Sequence, residues 1–309
     1  MNDETPSNLS AAELEAERYD LLICAGGFET RATFIANELH GRFERAVAIG
    51  FDHNQCLSYE PNCAWFRAHG IEIVESVRKN EFPSVLGRLL APVNDAMSRR
   101  IAIDISCFDR YRLAELVSAT QKLSRERSLT IDFWYSVAKF EAPHPVAGRN
   151  EIAGPINRTF AGRFVDPSRP LALVAGLGYE AGKVVGAAEF LQATRVISFF
   201  PESPVAGFAP EVQKANHSLL VEIAPHDSLR YEVDDPRRTI AMLDSVVRGL
   251  SIEYNVVLLP GGPKIFVLAC LLVQRMHPLI SVWRVSSGAS LNVRDAIPSG
   301  CVVGLRWMP

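Results

Sequence analysis

Three short stretches of this 309-residue sequence carry residue types suited to holding a phosphate and a sugar. Ala25-Gly26-Gly27-Phe28-Glu29-Thr30-Arg31 and Ala175-Gly176-Leu177-Gly178-Tyr179-Glu180-Ala181-Gly182-Lys183 each join glycines to an aromatic, an acid and a cation. Glycine lets a backbone approach a phosphate closely, and the N–H groups that open a helix favour an anion. Arg31 and Lys183 add positive charge. Glu29 and Glu180 read two ways. An acid in a first helical turn meets the helix dipole favourably, or the Gly-aromatic-Glu triplet grips a sugar or a base edge. The third stretch, Pro260-Gly261-Gly262-Pro263-Lys264, follows the apolar run Val256–Leu259 and sets Lys264 beside a helix start.

Carboxylates extend the pattern. Asp52 lies about 25 residues after Gly27, and Glu202 about as far after Gly178, the distance at which a Rossmann carboxylate holds ribose hydroxyls. Asp104 sits in the apolar run Ile101–Ile105, just before Ser106 and Arg110. A buried acid is costly unless paired or functional, so either Arg110 or Arg112 pairs with it or it serves a site. His53, Cys56, Cys63 and His69 lack the tight spacing of a zinc knuckle, and no metal site is expected. No Ser-His-Asp or Cys-His arrangement and no Walker loop stands out, and the residues name no cofactor.

These loops need elements to position them. Tyr19–Cys24, Ala46–Phe51, Ile71–Glu75, Ile101–Ile105 and Ile131–Val137 read as strands, with helices over Thr30–Leu39, Tyr59–His69, Pro83–Met97 and Arg110–Leu123. The plan recurs with strands Leu171–Ala175, Val196–Phe200, Leu229–Val233, Val256–Leu259 and Ile280–Val285, and helices Glu180–Leu191, Pro210–Asn216, Pro236–Arg248 and Pro263–Met276. Near-continuous apolar strands separated by helices predict parallel sheets buried on both faces. The fold class is α/β, with two tandem Rossmann-like sheets. Arg45 and Arg195, Asp52 and Glu202, and Trp134 and Trp283 recur at an offset of about 150 residues, which points to internal duplication. The expected division is a flexible tail over 1–18 with a short helix from Ser10, a first domain over 19–140, a linker over 141–170 and a second domain over 171–309. A hairpin over Asn150–Ala161 is a candidate inside the linker.

Composition narrows the classes. With 48% hydrophobic and 22% charged residues and a net charge of -3, the chain is globular and has no extended basic face for nucleic acid. No apolar run is long enough to span a membrane, and Met1–Arg18 lacks an apolar signal core. Six cysteines without a disulfide-type spacing suggest a reducing cytoplasm.

The segment Val256–Val285 resembles the Gly-Gly-x-Lys region of CRISPR-associated Rossmann-fold (CARF) sensor domains, with Pro263 where the family places a hydroxyl residue. The resemblance implies a cyclic oligonucleotide or related nucleotide as ligand, a protein effector as partner and a role in antiviral signalling. The expected arrangement is two half-sites across a cleft. Arg31, Arg110, Lys183 and Lys264 meet phosphates, Asp52 and Glu202 hold sugar hydroxyls, and Gly27, Gly178, Gly261 and Gly262 admit close contact. Glu29, Asp104, Ser106, Tyr179 and Glu180 complete the candidate ligand-binding set. The alternative is an enzyme acting on a nucleotide glycosidic or phosphate bond, with Glu29, Asp104, Glu180 or Glu211 as its acid. Phe200–Pro204 followed by Glu211 resembles the strand-end loop of nucleoside deoxyribosyltransferase-like enzymes, which implies a glutamate attacking an anomeric carbon.

Overall fold

The computed structural model describes residues 4–91, 98–143, 152–163, 166–286 and 293–309. The chain runs β1 (Glu4–Leu9), α1 (Ala11–Ala16), β2 (Tyr19–Gly26), a 3-10 turn (Thr30–Thr33), α2 (Phe34–Glu38), β3 (Phe43–Phe51), α3 (Tyr59–Ala68), β4 (Glu72–Val77), α4 (Phe82–Leu90), β5 (Ser98–Asp104), α5 (Arg110–Leu123) and β6 (Ser128–Ala138). It continues with β7 (Ile152–Pro155), β8 (Leu171–Gly176), α6 (Lys183–Leu191), β9 (Arg195–Glu202), α7 (Phe208–Ala215), α8 (His217–Glu222) and β10 (Ser228–Glu232). Then come α9 (Pro236–Leu250), β11 (Asn255–Leu259), α10 (Lys264–Met276), β12 (Ser281–Ser286) and β13 (Pro298–Met308).

These elements form two compact units, one of Met1–Lys139 with Asn292–Pro309 and one of Phe140–Leu291. Each has a mostly parallel sheet with helices. The parallel strands lie β4-β3-β2-β5-β6 in the first and β10-β9-β8-β11-β12 in the second. Counted in chain order, both run third, second, first, fourth, fifth. This is a doubly wound order with a switch point between first and fourth strands. Each sheet also ends in antiparallel pairing beside its fifth strand, to β13 and then β1 in the first unit and to β7 in the second.

The central strands form because their residues can be buried on both faces: Leu21–Cys24 and Leu173–Ala175 are wholly enclosed. Helix α10 is buried along Ile265–Gln274, so its apolar residues cover the whole circumference rather than one stripe. Arg45 reaches Glu72 at 2.7 Å and Arg195 reaches Asp227 at 2.7 Å, lashing the second strand to the start of the third or the turn before it.

The expected boundaries need three corrections. Residues 4–9 are not a loose tail. They pair antiparallel with β13, and Ser10 and Glu13 form a capping box that starts α1. Residues 292–309 belong to the first unit, because β13 inserts between β1 and β6. The interval read as a linker joins the second unit, where β7 pairs with β12 rather than with a neighbour in a hairpin, and Phe160 is fully buried. Asn150 and part of the helix read over Pro83–Met97 lie outside the described residues.

A polar network holds the inserted strand. Tyr19 donates to Asp132 at 3.0 Å and accepts from the Trp134 indole at 3.1 Å. Arg306 donates to Asp132 and Glu17, each at 2.8 Å, and Arg100 pairs with Glu17. Burial, then the Asp132 carboxylate, raises the Tyr19 phenol well above its ordinary range.

Candidate functional site

In a doubly wound sheet the ligand crevice lies beyond the carboxyl ends of the first and fourth strands. In the first unit those are β2 and β5, and the residues between them engage one another. Arg31, though only 8% exposed, donates to Glu29 at 2.7 Å and to the Ser136 carbonyl at 2.8 Å. Cys107 approaches Glu29 at 3.5 Å, and its β-carbon lies 3.2 Å from where a Cβ on Gly27 would stand. Burial would lower the Arg31 guanidinium, but Tyr135 and Glu29 outweigh it and raise the group. Burial, then Glu29, pushes the Cys107 thiol far up.

Asp104 is buried and accepts from the Ser106 backbone N–H at 2.9 Å, while the Ser106 hydroxyl accepts from the Ser136 N–H at 2.8 Å. Burial pushes the Asp104 carboxyl up to about 6, with Ser106 and Arg31 opposing the rise. The pairing expected with Arg110 or Arg112 is replaced by this arrangement. Arg112 turns instead to Asp109 at 3.1 Å and to the Val77 carbonyl at 2.6 Å, stacked 3.9 Å from the Phe51 ring. Arg110 opens α5, whose N-cap Asp109 accepts from the Arg112 N–H. Asp52 binds His53 at 2.7 Å, which lowers its carboxyl.

The first loop of this unit already holds a carboxylate. Asp295 accepts from the Thr30 N–H and from the Thr30 hydroxyl, each at 2.6 Å, and the Ala296 carbonyl accepts from the Arg31 N–H at 3.0 Å. The donors expected to meet a phosphate are therefore engaged from within the unit. Arg31, expected on that phosphate, is spent on Glu29. Asp295 was beyond sequence reasoning because it lies 265 residues from Thr30 and carries no motif.

The second unit differs at the same place. Beyond β8 and β11 the two glycine loops interlock. A Cβ on Gly261 would stand 2.2 Å from the Gly176 carbonyl oxygen, and one on Gly262, at φ +73°, 2.3 Å from that of Leu177. A Cβ on Gly178 would likewise stand 3.0 Å from the Gly262 nitrogen. Mutual packing therefore accounts for these glycines, which the sequence had suggested make room for ligand. The loops end on α10, a 13-residue helix that begins at Lys264 and whose N-cap residue, Pro263, makes no side-chain capping bond. The same pole carries Lys183 paired with Glu180, and Tyr179 stacked on Phe208 with centroids 5.9 Å apart. Phe140 meets the Phe208 ring edge-on at 5.3 Å. Glu202, expected on a sugar, accepts from Arg230 at 2.8 Å.

One further residue type does equivalent work in both units. Asn62 donates to the carbonyls of Gly27 and Glu29 at 2.9 and 2.8 Å, and Asn216 donates to Gly178 at 2.8 Å. Each is nearly buried and fixes the loop after the first strand from the helical segment after the second. Among the described residues no group of three or more His, Cys, Asp or Glu could hold a metal ion, and no helix is long and apolar enough to cross a membrane.

No family model and no curated protein matches the chain. Among solved structures, the chain is similar to the cytoplasmic domain of a prokaryotic cation chloride cotransporter at 12% identity and a TM-score of 0.27, covering 88% of this chain and 97% of that one.

Proposed function

We propose that the second unit binds a nucleotide-like, phosphate-bearing ligand at the carboxyl ends of β8 and β11, and that the protein acts as a sensor or regulatory subunit. The observation that carries this reading is the start of α10. Thirteen aligned peptide dipoles end at Lys264, at the switch point, and the N-cap residue Pro263 makes no side-chain capping bond. The equivalent helix of the first unit, α5, is capped by the Asp109 carboxylate, which accepts from the Arg112 N–H. The Tyr179–Phe208 stack beside the loop suits the flat face of a base. A cyclic oligonucleotide as ligand, an effector protein as partner and a role in prokaryotic defence rest on the resemblance of Val256–Val285 to CARF sensors, and a cytoplasmic setting rests on the six cysteines without disulfide-type spacing.

A thermal-shift series with mononucleotides, NAD and cyclic oligonucleotides tests the reading, since a ligand selective for the folded state raises the melting temperature. Lys264→Ala is expected to weaken the active ligand by roughly 1–3 kcal/mol, the worth of a charged hydrogen bond. Chromatography of the recovered ligand should return it unchanged, whereas conversion would indicate an enzyme. An unshifted melting temperature across the series, or full affinity in Lys264→Ala, would overturn the assignment.

A further inference from the structure

The second unit has a concavity at the pole opposite its glycine loops. It opens at the amino ends of β8, β11 and β12 and measures about 690 Å³. That lies within the roughly 300–1,000 Å³ of small-molecule sites. Arg163, Arg169, Phe190, Gln192, Asn255 and Trp283 help to line it, and none of its described lining residues is an acid.

The arginines mark it as a site for negative charge. Towards the amino ends of the first unit's strands, Arg100 and Arg306 are matched by Glu17 and Asp132. Among the described residues Arg163 and Arg169 form no ion pair. Arg169 donates to the Ser251 carbonyl at 3.2 Å, and nearby Asp166 is engaged by Ser168 at 2.7 Å, with the Arg169 charge adding a smaller pull on that carboxylate. The Arg163 guanidinium meets no acceptor among the described residues, although its backbone N–H is anchored on the Leu279 carbonyl at 3.1 Å. The wall beside them is aromatic. Phe190 is 65% exposed on α6, an unfavourable state for a phenyl ring unless something covers it, and Trp283 contributes an indole. Asn255 fixes the strap at the rim by donating to the Asp166 and Arg169 carbonyls at 2.8 and 3.2 Å.

We infer that this concavity binds an organic anion with a flat apolar body. Its charged oxygens meet the Arg163 fork, and its ring lies against Phe190 and Trp283. A guanidinium pairs two oxygens of a carboxylate or phosphate at once, and an adjoining ring is held by aromatic faces. The site is separate from the one proposed at Lys264 and does not depend on it.

Calorimetric titration of the full chain with 2-naphthyl phosphate, 2-naphthoate and uncharged 2-naphthol tests the inference. Binding of at least one anion, with naphthol much weaker, is expected; the stronger anion tells phosphate from carboxylate as the preferred head. Arg163→Ala should weaken that anion about tenfold, the scale of one charge-assisted contact, without moving the melting temperature, because the side chain is exposed and its backbone bond survives. Phe190→Ala should weaken it as well, and Lys264→Ala should leave it unchanged. No heat at millimolar probe, equal binding of naphthol, unchanged affinity in Arg163→Ala, or loss in Lys264→Ala would each overturn it.

Discussion

The triplets Gly27-Phe28-Glu29 and Gly178-Tyr179-Glu180 follow equivalent strands of two sheets with one strand order, yet they end in different surroundings. Glu29 meets Arg31 at 2.7 Å, with side chains 20% and 8% exposed. Glu180 meets Lys183 with 56% of its own side chain exposed. Around the first pair lie Asp104, Cys107 and Tyr135, so that crevice is filled by side chains that engage one another. Around the second lie backbone loops in direct contact and the start of a 13-residue helix whose N-cap residue makes no side-chain bond. One topology thus closes its switch point with side-chain chemistry and, in the other case, with backbone packing.

The sharpest way to break this comparison is to remove the cations. Arg31→Met leaves the partly buried Glu29 uncompensated and should cost up to about 3 kcal/mol of unfolding free energy, with much of the loss recovered on adding Glu29→Gln. Equilibrium denaturation of the single and double variants checks this, and a loss no larger than that of a surface pair would refute the closed-crevice description. Next in size is Asp104→Asn. The folded carboxyl titrates near 6, above its unfolded value, so the protein loses stability as pH rises from about 4 through 6 and stays at the lower level beyond. The variant should therefore gain on the order of 2–3 kcal/mol over the parent at about pH 7.5 and little at about pH 4, read from melts at both. A pH-independent difference would mean that the carboxyl is not held neutral by burial.

Gly261→Ala, which must push two backbones apart, should destabilise by about 1–3 kcal/mol, whereas Gly27→Ala meets only a β-carbon at 3.2 Å and should cost less. Equal penalties would remove the distinction between the two loops. The smallest effect belongs to Lys183→Ala, expected below about 1 kcal/mol because its partner is solvated. A loss matching that of Arg31→Met would make the two pairs alike after all.

Sequence reading reached the strands that line each switch point because strands buried on both faces are apolar throughout, as Leu21–Cys24 and Val256–Leu259 show. It missed β1 and β13 for the opposite reason. Glu4–Leu9 is a polar edge strand, and β13 carries Pro298, Gly300 and Gly304, residues that normally interrupt a strand. The site was legible as a set of loops but not as a set of partners. That Arg31 would turn to Glu29, or that Asp295 would arrive from the far end of the sequence, depends on packing that no spacing records. Asn62 was obscured in the same way, since a single asparagine in a helical segment carries no signal until its carbonyl acceptor is known.

The placement of β13 governs the order in which the units can be finished on the ribosome. Residues 298–308 are translated only after the whole of Phe140–Leu291, yet they supply a strand flanked on both sides in the first sheet. A nascent chain therefore exposes every element of the later unit while the earlier one still shows the bare edge of β6, an inversion of the usual amino-terminal-first order of maturation.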